Sequence, residues 1–231
     1  MVGQLTWVQG KGRTRPGPVE LGPLRAMRAV VYVPEGLAAW RLEWRLRRAE
    51  RALAAAGVRR VVLPGDFPWG ERLRLLRPVD TLPLRRGAAD VLALAALDLE
   101  GIPRRQGRVA LSAPRLCPEL EGAAERLCPR VRGLVIDVPG GEEYARYLQA
   151  KYGLPVSPPA AGADATAAFG PDGGRWGRSV ELYPGGSLNG LVLGAAGVSL
   201  PADCAEQVLA LLWEQGQVSR EELTATLAGT S

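Results

Sequence analysis

Four short, mostly apolar runs stand out along the chain: residues 29–33 (AVVYV), 60–63 (RVVL), 109–113 (VALSA) and 134–138 (LVIDV). Each is followed at once by a proline, at Pro34, Pro64, Pro114 and Pro139. A β-branched run of this length reads as a strand covered on both faces, and proline, which cannot donate to a ladder, marks where it leaves the sheet. Helical patterns separate the runs. Residues 36–56 place Leu37, Trp40, Trp44 and Leu53 near one face and most arginines elsewhere, with Gly57 as the stop. Residues 88–99 are apolar nearly all round, which predicts a helix with little exposure. Residues 119–127 form a shorter helix, and 142–152 end in Gly153-Leu154-Pro155, a glycine stop followed by a helix breaker.

The alternation of strand and helix predicts an α/β fold: a Rossmann-like, doubly wound, mostly parallel sheet with right-handed crossovers and helices on both faces. A further short strand is expected near residues 80–82. Ahead of this core, residues 5–8 read as an edge strand and the Gly/Pro-rich residues 9–23 as a loop. After Pro155 the composition changes to a Pro/Ala/Gly connector. Residues 165–169 and 179–183 flank a Pro-Asp-Gly-Gly turn, which predicts an antiparallel C-terminal β-hairpin, and residues 191–193 add a strand. Asp203 as a cap, and Ser219 and Glu222 at capping-box spacing, predict a closing pair of helices. The expected organisation is an N-terminal strand and loop extension over 1–28, a Rossmann-like core over 29–154, and hairpin and helices over 155–231 packed on the same domain.

Composition narrows the chemistry. The 231 residues contain no histidine, which removes Ser-His-Asp and Cys-His catalysis and imidazole metal ligation. Of the 29 basic residues only Lys11 and Lys151 are lysine, and the net charge is +5. That charge permits an anionic partner, but acidic residues interrupt the arginines almost everywhere, as Glu43 and Glu50 do among Arg41, Arg45, Arg47, Arg48 and Arg51. This interleaving argues for a solvated face and against a nucleic-acid partner. Cys117, Cys128 and Cys204 form no C-x-x-C pair and read as reduced, structural thiols. No stretch has the apolar length of a membrane span, and the amino terminus lacks a secretory pattern, so a cytoplasmic location is expected.

In open parallel sheets ligands bind beyond the carboxyl ends of the strands. The candidates there are Glu35, Asp66, Ser112, Arg115, Asp137, Gly140 and Gly141. None of these turns carries G-x-G-x-x-G, and the turn after Ser112 has prolines where a pyrophosphate needs bare amides, so no nucleotide cofactor is expected. Asp137 lies about where a ribose-binding acid would fall. Gly140 and Gly141 offer amides to an anion, but Glu142 and Glu143 in the following first turn oppose one. Ser187, in a near miss to G-x-S-x-G, has no histidine or lysine to activate it. No metal site is expected. The leading reading is a binding or structural module without a nucleotide fingerprint. The alternative is an enzyme using Glu35, Asp66 and Asp137 with Arg115 on a small anionic substrate or nucleotide, and a third is arginine-mediated nucleic-acid binding.

Overall fold

The computed structural model describes residues 1–228. The chain divides into two compact units, the first formed by Met1–Thr81 with Ala195–Ser219, the second by Leu82–Gly194 with the segment that starts at Arg220. The boundary at Thr81 falls inside the stretch expected to be one core. Two of the four apolar runs join one sheet and two join another. The strand, proline and helix rhythm is the same in both, so periodicity alone does not say which sheet a strand enters.

In the first unit β1 (Val2–Gln9), β2 (Gly17–Leu21) and β3 (Leu24–Val33) precede α1 (Ala39–Ala55), β4 (Arg60–Val62) and β5 (Arg77–Pro78). The sheet runs β2-β3-β1-β4-β5, all parallel except β2, which is antiparallel to β3. β1 is therefore central, not the expected edge strand. It runs along β3 from Gly3 opposite Met27 to Gln9 opposite Val33, and Leu5 is fully buried. The supposed loop over 9–23 contains β2, whose Pro18 is tolerated because an edge strand has one unpaired side. The short strand expected near 80–82 lies at Arg77–Pro78 instead.

Leu42, Leu46, Ala49 and Leu53 pack α1 against Leu5, Ala29 and Val31. The expected face holds in part: Leu53 is buried and Leu37 packs against the core, whereas Trp40 and Trp44 point to solvent. Glu50 is fully buried on the packed face, where its Oε1 accepts the amides of Arg74, Leu75 and Leu76 at 2.9, 2.8 and 3.2 Å.

The second unit begins with α2 (Leu82–Gly87) and α3 (Ala89–Leu99), followed by β6 (Arg108–Ser112), α4 (Pro118–Leu127), β7 (Gly133–Asp137), α5 (Glu142–Tyr152), β8 (Val156–Ser157), β9 (Ala165–Ala168), β10 (Arg178–Glu181) and β11 (Leu191–Ala195). Its sheet order is β10-β9-β6-β7-β8, with every pairing parallel. Counted from β6, this is the 3-2-1-4-5 arrangement of a Rossmann sheet, with the direction of winding reversing between β6 and β9. α3 packs on β9 and β10, and α5 on β8. As its composition predicts, α3 is buried almost all round. Asp90 on it is 1% exposed and accepts hydrogen bonds from Arg126 and Arg220.

β9 and β10 are parallel, so the expected antiparallel hairpin is not formed. Parallel neighbours generally require a crossover of a dozen residues or more, most often a helix. Here residues 169–177 double back without one. Trp176 returns beside Thr166, whose hydroxyl donates to the Trp176 carbonyl at 2.7 Å and accepts its amide at 2.9 Å. Arg175 binds the carbonyls of Gly170, Pro171, Gly173 and Gly174, fixing a turn that the sequence presents as a hairpin signal.

The chain then completes the first unit with α6 (Ala205–Glu214). Gln207 brackets Leu63, accepting its amide at 2.9 Å and donating to its carbonyl at 2.8 Å, and Arg60 pairs with Glu214 through both guanidinium nitrogens. α6 starts from Cys204 with no side-chain cap, and Asp203 instead accepts the Cys204 thiol. The second terminal helix is absent: after a single turn at Arg220–Glu222 the chain forms β12 (Leu223–Leu227), which pairs with β11. Its alternating LTATL fits an edge strand better than a helix. Among the described residues, no helix is long and apolar enough to cross a membrane.

Candidate functional site

The reversal in the second sheet makes the carboxyl ends of β6 and β9 the place where an open α/β fold usually binds its ligand. β6 ends at Ser112, which is fully buried and stands in register with Asp137 on β7 and Ala168 on β9. The Ser112 hydroxyl donates to Asp137 Oδ2 at 3.1 Å, and the Gly174 amide donates to the same oxygen at 2.7 Å. The segment after β9 thus lies over the strand ends. The amide of Phe169 donates to the Ser112 carbonyl at 2.7 Å, and a Cβ on Gly170 would touch the Pro114 ring at 2.6 Å.

Gly173 shows how tightly this segment is seated. Its φ of +117° lies where L side chains are strained, and a Cβ there would stand 2.0 Å from Ser112 Oγ and 3.0 Å from Asp137 Oδ2. The chain's own backbone at Phe169 and Gly174 thus lies against the ends of β6 and β7. Sequence reasoning singled out Ser112 and Asp137 but not Gly173 or Gly174. The glycine pair was legible; that it folds onto strand ends roughly 40 to 60 residues earlier depends on the parallel placement of β10.

The other candidates are dispersed. Arg115 is exposed beyond Pro114. Gly140 is exposed at φ +70°, and Gly141 is buried where α5 begins, its amide already donated to the Val138 carbonyl at 2.9 Å. The pair therefore offers an anion less than its sequence suggests. Glu35 and Asp66 belong to the first unit, at the ends of β3 and after β4, two strands that β1 separates. Both are exposed. Ser187 sits in a turn, its amide on Glu181 and its hydroxyl accepting the Asn189 amide at 3.0 Å.

Beside the closed strand ends, a groove of about 460 Å³ opens along β7, β8 and the start of α5. Ile136, Val138 and Pro139 give it apolar walls, and Asp137, Glu142 and Arg146 supply its charged groups. Two carboxylates thus line it beside one guanidinium. Apolar walls with a few polar groups in such a volume are typical of small-molecule sites.

The thiols are poorly suited to nucleophilic work. Burial pushes Cys128 up to about 11 and Cys204 up to about 12, and also raises Cys117. At neutral pH each is held as the unreactive thiol. Among the described residues, no three Cys, Asp or Glu side chains are grouped to hold a metal ion.

No family model matches the sequence, and no curated protein does. Among solved structures the chain is similar to the L-tryptophan dehydrogenase from Nostoc punctiforme, at 18% identity and a TM-score of 0.29, over 62% of this chain and 44% of that one. The chain thus spans less than half the length of that dehydrogenase.

Proposed function

We propose that the Leu82–Gly194 unit is a Rossmann-like binding module that works without a nucleotide and without a catalytic nucleophile. One observation carries this reading: the Asp137 carboxylate at the second strand end is bonded by Ser112 and Gly174 of the same chain. A carboxylate so placed would bind a ribose hydroxyl in a dinucleotide fold; here it anchors the segment that fills the neighbouring space. The ligand then belongs in the groove between α5 and the ends of β7 and β8. It is a small, partly apolar molecule that carries hydroxyl or amine groups for Asp137 and Glu142.

The test is a thermal-shift and ligand-detected NMR screen of such compounds against the chain and against Ala145→Trp, which places an indole in the groove. Saturable binding that disappears in Ala145→Trp supports the reading. An absence of binders, or binding indifferent to the substitution, contradicts it.

A further inference from the structure

The outer face of α1 carries a surface that its inner face leaves free. Trp40, Trp44 and Arg48 recur every four residues, flanked by Arg41 and Arg51. Trp40 is 68% exposed and Trp44 56%. The Arg41 guanidinium lies 5.0 Å from the Trp40 ring centre and the Arg48 guanidinium 5.3 Å from that of Trp44. Among the described residues no carboxylate pairs with Arg41, Arg48 or Arg51. Glu43 is engaged by Arg47 at 3.2 Å, and Glu50 faces the core. Of the two acids that interrupt the basic run in the sequence, one is neutralised and the other is removed from the surface.

Two exposed indoles one turn apart are a large apolar investment on a helix whose core contact uses other residues. A guanidinium stacked on each leaves its N–H edges free for an anion while holding the ring in place. The charge calls for a polyanion. A second copy of this face is disfavoured, because a two-fold contact would oppose arginine to arginine. A lipid surface fits less well, since interfacial helices insert a continuous apolar face and the leucines of α1 all face the core. Single-stranded nucleic acid needs what is present, aromatic planes for bases and cations for phosphates along one line.

We infer that the exposed face of α1 docks single-stranded nucleic acid, with Trp40 and Trp44 stacking bases and Arg41, Arg48 and Arg51 neutralising phosphates. The two indoles are about 6 Å apart along the axis, so they serve neighbouring bases. This goes beyond the small-molecule reading, concerns the other unit, and reverses the expectation that interleaved acids make the arginines a merely solvated face. That expectation rested on Glu43 and Glu50 standing among the arginines, and neither acid pairs with Arg41, Arg48 or Arg51 in the fold.

Fluorescence anisotropy tests it with labelled single-stranded RNA and DNA of roughly 12 nucleotides. Titrations compare the chain with Trp40→Ala/Trp44→Ala and with Arg41→Gln/Arg48→Gln, at about 50 and 200 mM salt. All four side chains are substituted at the surface, melting curves verify the fold, and Trp40→Gln alone serves should the double tryptophan variant not fold. The inference expects roughly tenfold or greater weakening in either double variant. It also expects a salt slope shallower by about 1.4 in the arginine variant, from two lost phosphate contacts. It is overturned by the absence of binding, or by binding indifferent to the tryptophans, which is general electrostatics. Binding to anionic phospholipid vesicles or poly-glutamate that the oligonucleotides do not compete for overturns it as well.

Discussion

The amide of Gly174 donates to Asp137 Oδ2 at 2.7 Å, joining a loop after the fourth strand of the second sheet to the end of its second strand. The Ser112 hydroxyl shares that acceptor. Truncating the acid leaves two part-buried donors without their acceptor, and an orphaned buried donor costs about 1–3 kcal/mol. Asp137→Ala should therefore lower stability by about 2 kcal/mol and speed amide exchange across residues 169–177. Denaturant melts and hydrogen exchange check both, and a change below about 0.5 kcal/mol with unaltered exchange would remove the loop's anchor.

Gly173→Ala probes the same closure from the other side. A methyl 2.0 Å from Ser112 Oγ must displace that hydroxyl from Asp137 or lift the loop, and the positive φ adds about 1–2 kcal/mol of strain. Gly185→Ala is the control, since φ there is +79° but nothing lies within 4 Å of the added carbon. Thermal melts should show the first variant clearly less stable than the second. Equal melting temperatures would mean that the loop does not rest on Ser112.

Much of this architecture was legible in the sequence, and the exceptions share causes. The apolar runs fixed β3, β4, β6 and β7, and α3, α4 and α5 fall close to their expected spans because caps and glycine stops are local signals. What escaped depends on distant partners. Trp40 and Trp44 lie on one helical stripe and Leu42, Leu46 and Ala49 on another, and only the sheet beneath decides which is buried. The turn at Pro171-Asp172-Gly173-Gly174 has hairpin chemistry, yet Thr166 and Trp176 bring the chain back in parallel. At the candidate site, Ser112 and Asp137 were identifiable from their strand-end positions, whereas the bond from Gly174 to Asp137 was not.

Glu50 gives an independent test of the first unit. Its Oε1 accepts three consecutive amides while its Oε2, also buried, has no hydrogen-bond partner among the described residues. Glu50→Gln preserves an acceptor for those amides and should change stability by about 1 kcal/mol or less. Glu50→Ala strands three donors and opens a cavity, for a loss of about 3 kcal/mol or more. Urea melts of the two variants decide it; equal losses would show that the carboxyl does not organise residues 74–76.

The thiols predict a pH response. Alkylation requires the thiolate, and a thiol raised to about 11, as Cys128 is, has only about one part in a thousand ionised at pH 8. Cys128 and Cys204 should resist iodoacetamide in the folded chain at pH 8 and react fully in denaturant. Mass spectrometry reads the labelling, and rapid native modification of either residue would contradict their burial.

Interior charge separates the two sheets. Val31 and Val135 are both fully buried, one in each sheet. An unpaired carboxylate there costs several kcal/mol, so Val31→Asp or Val135→Asp should abolish cooperative folding of its own unit. Circular dichroism melts test this, and a cooperatively folded Val135→Asp chain would contradict the doubly covered sheet.

Nucleotide binding tests the closure of the second sheet most directly. With the strand ends covered by residues 169–177, NAD, NADP, ATP and GTP at millimolar concentration should leave the melting temperature unchanged. A ligand present at about ten times its Kd stabilises a fold by about 1.4 kcal/mol, which such a melt resolves. Flat curves with all four nucleotides are the predicted result; a saturable rise with any of them that is lost in Asp137→Ala would contradict a strand end sealed by its own chain.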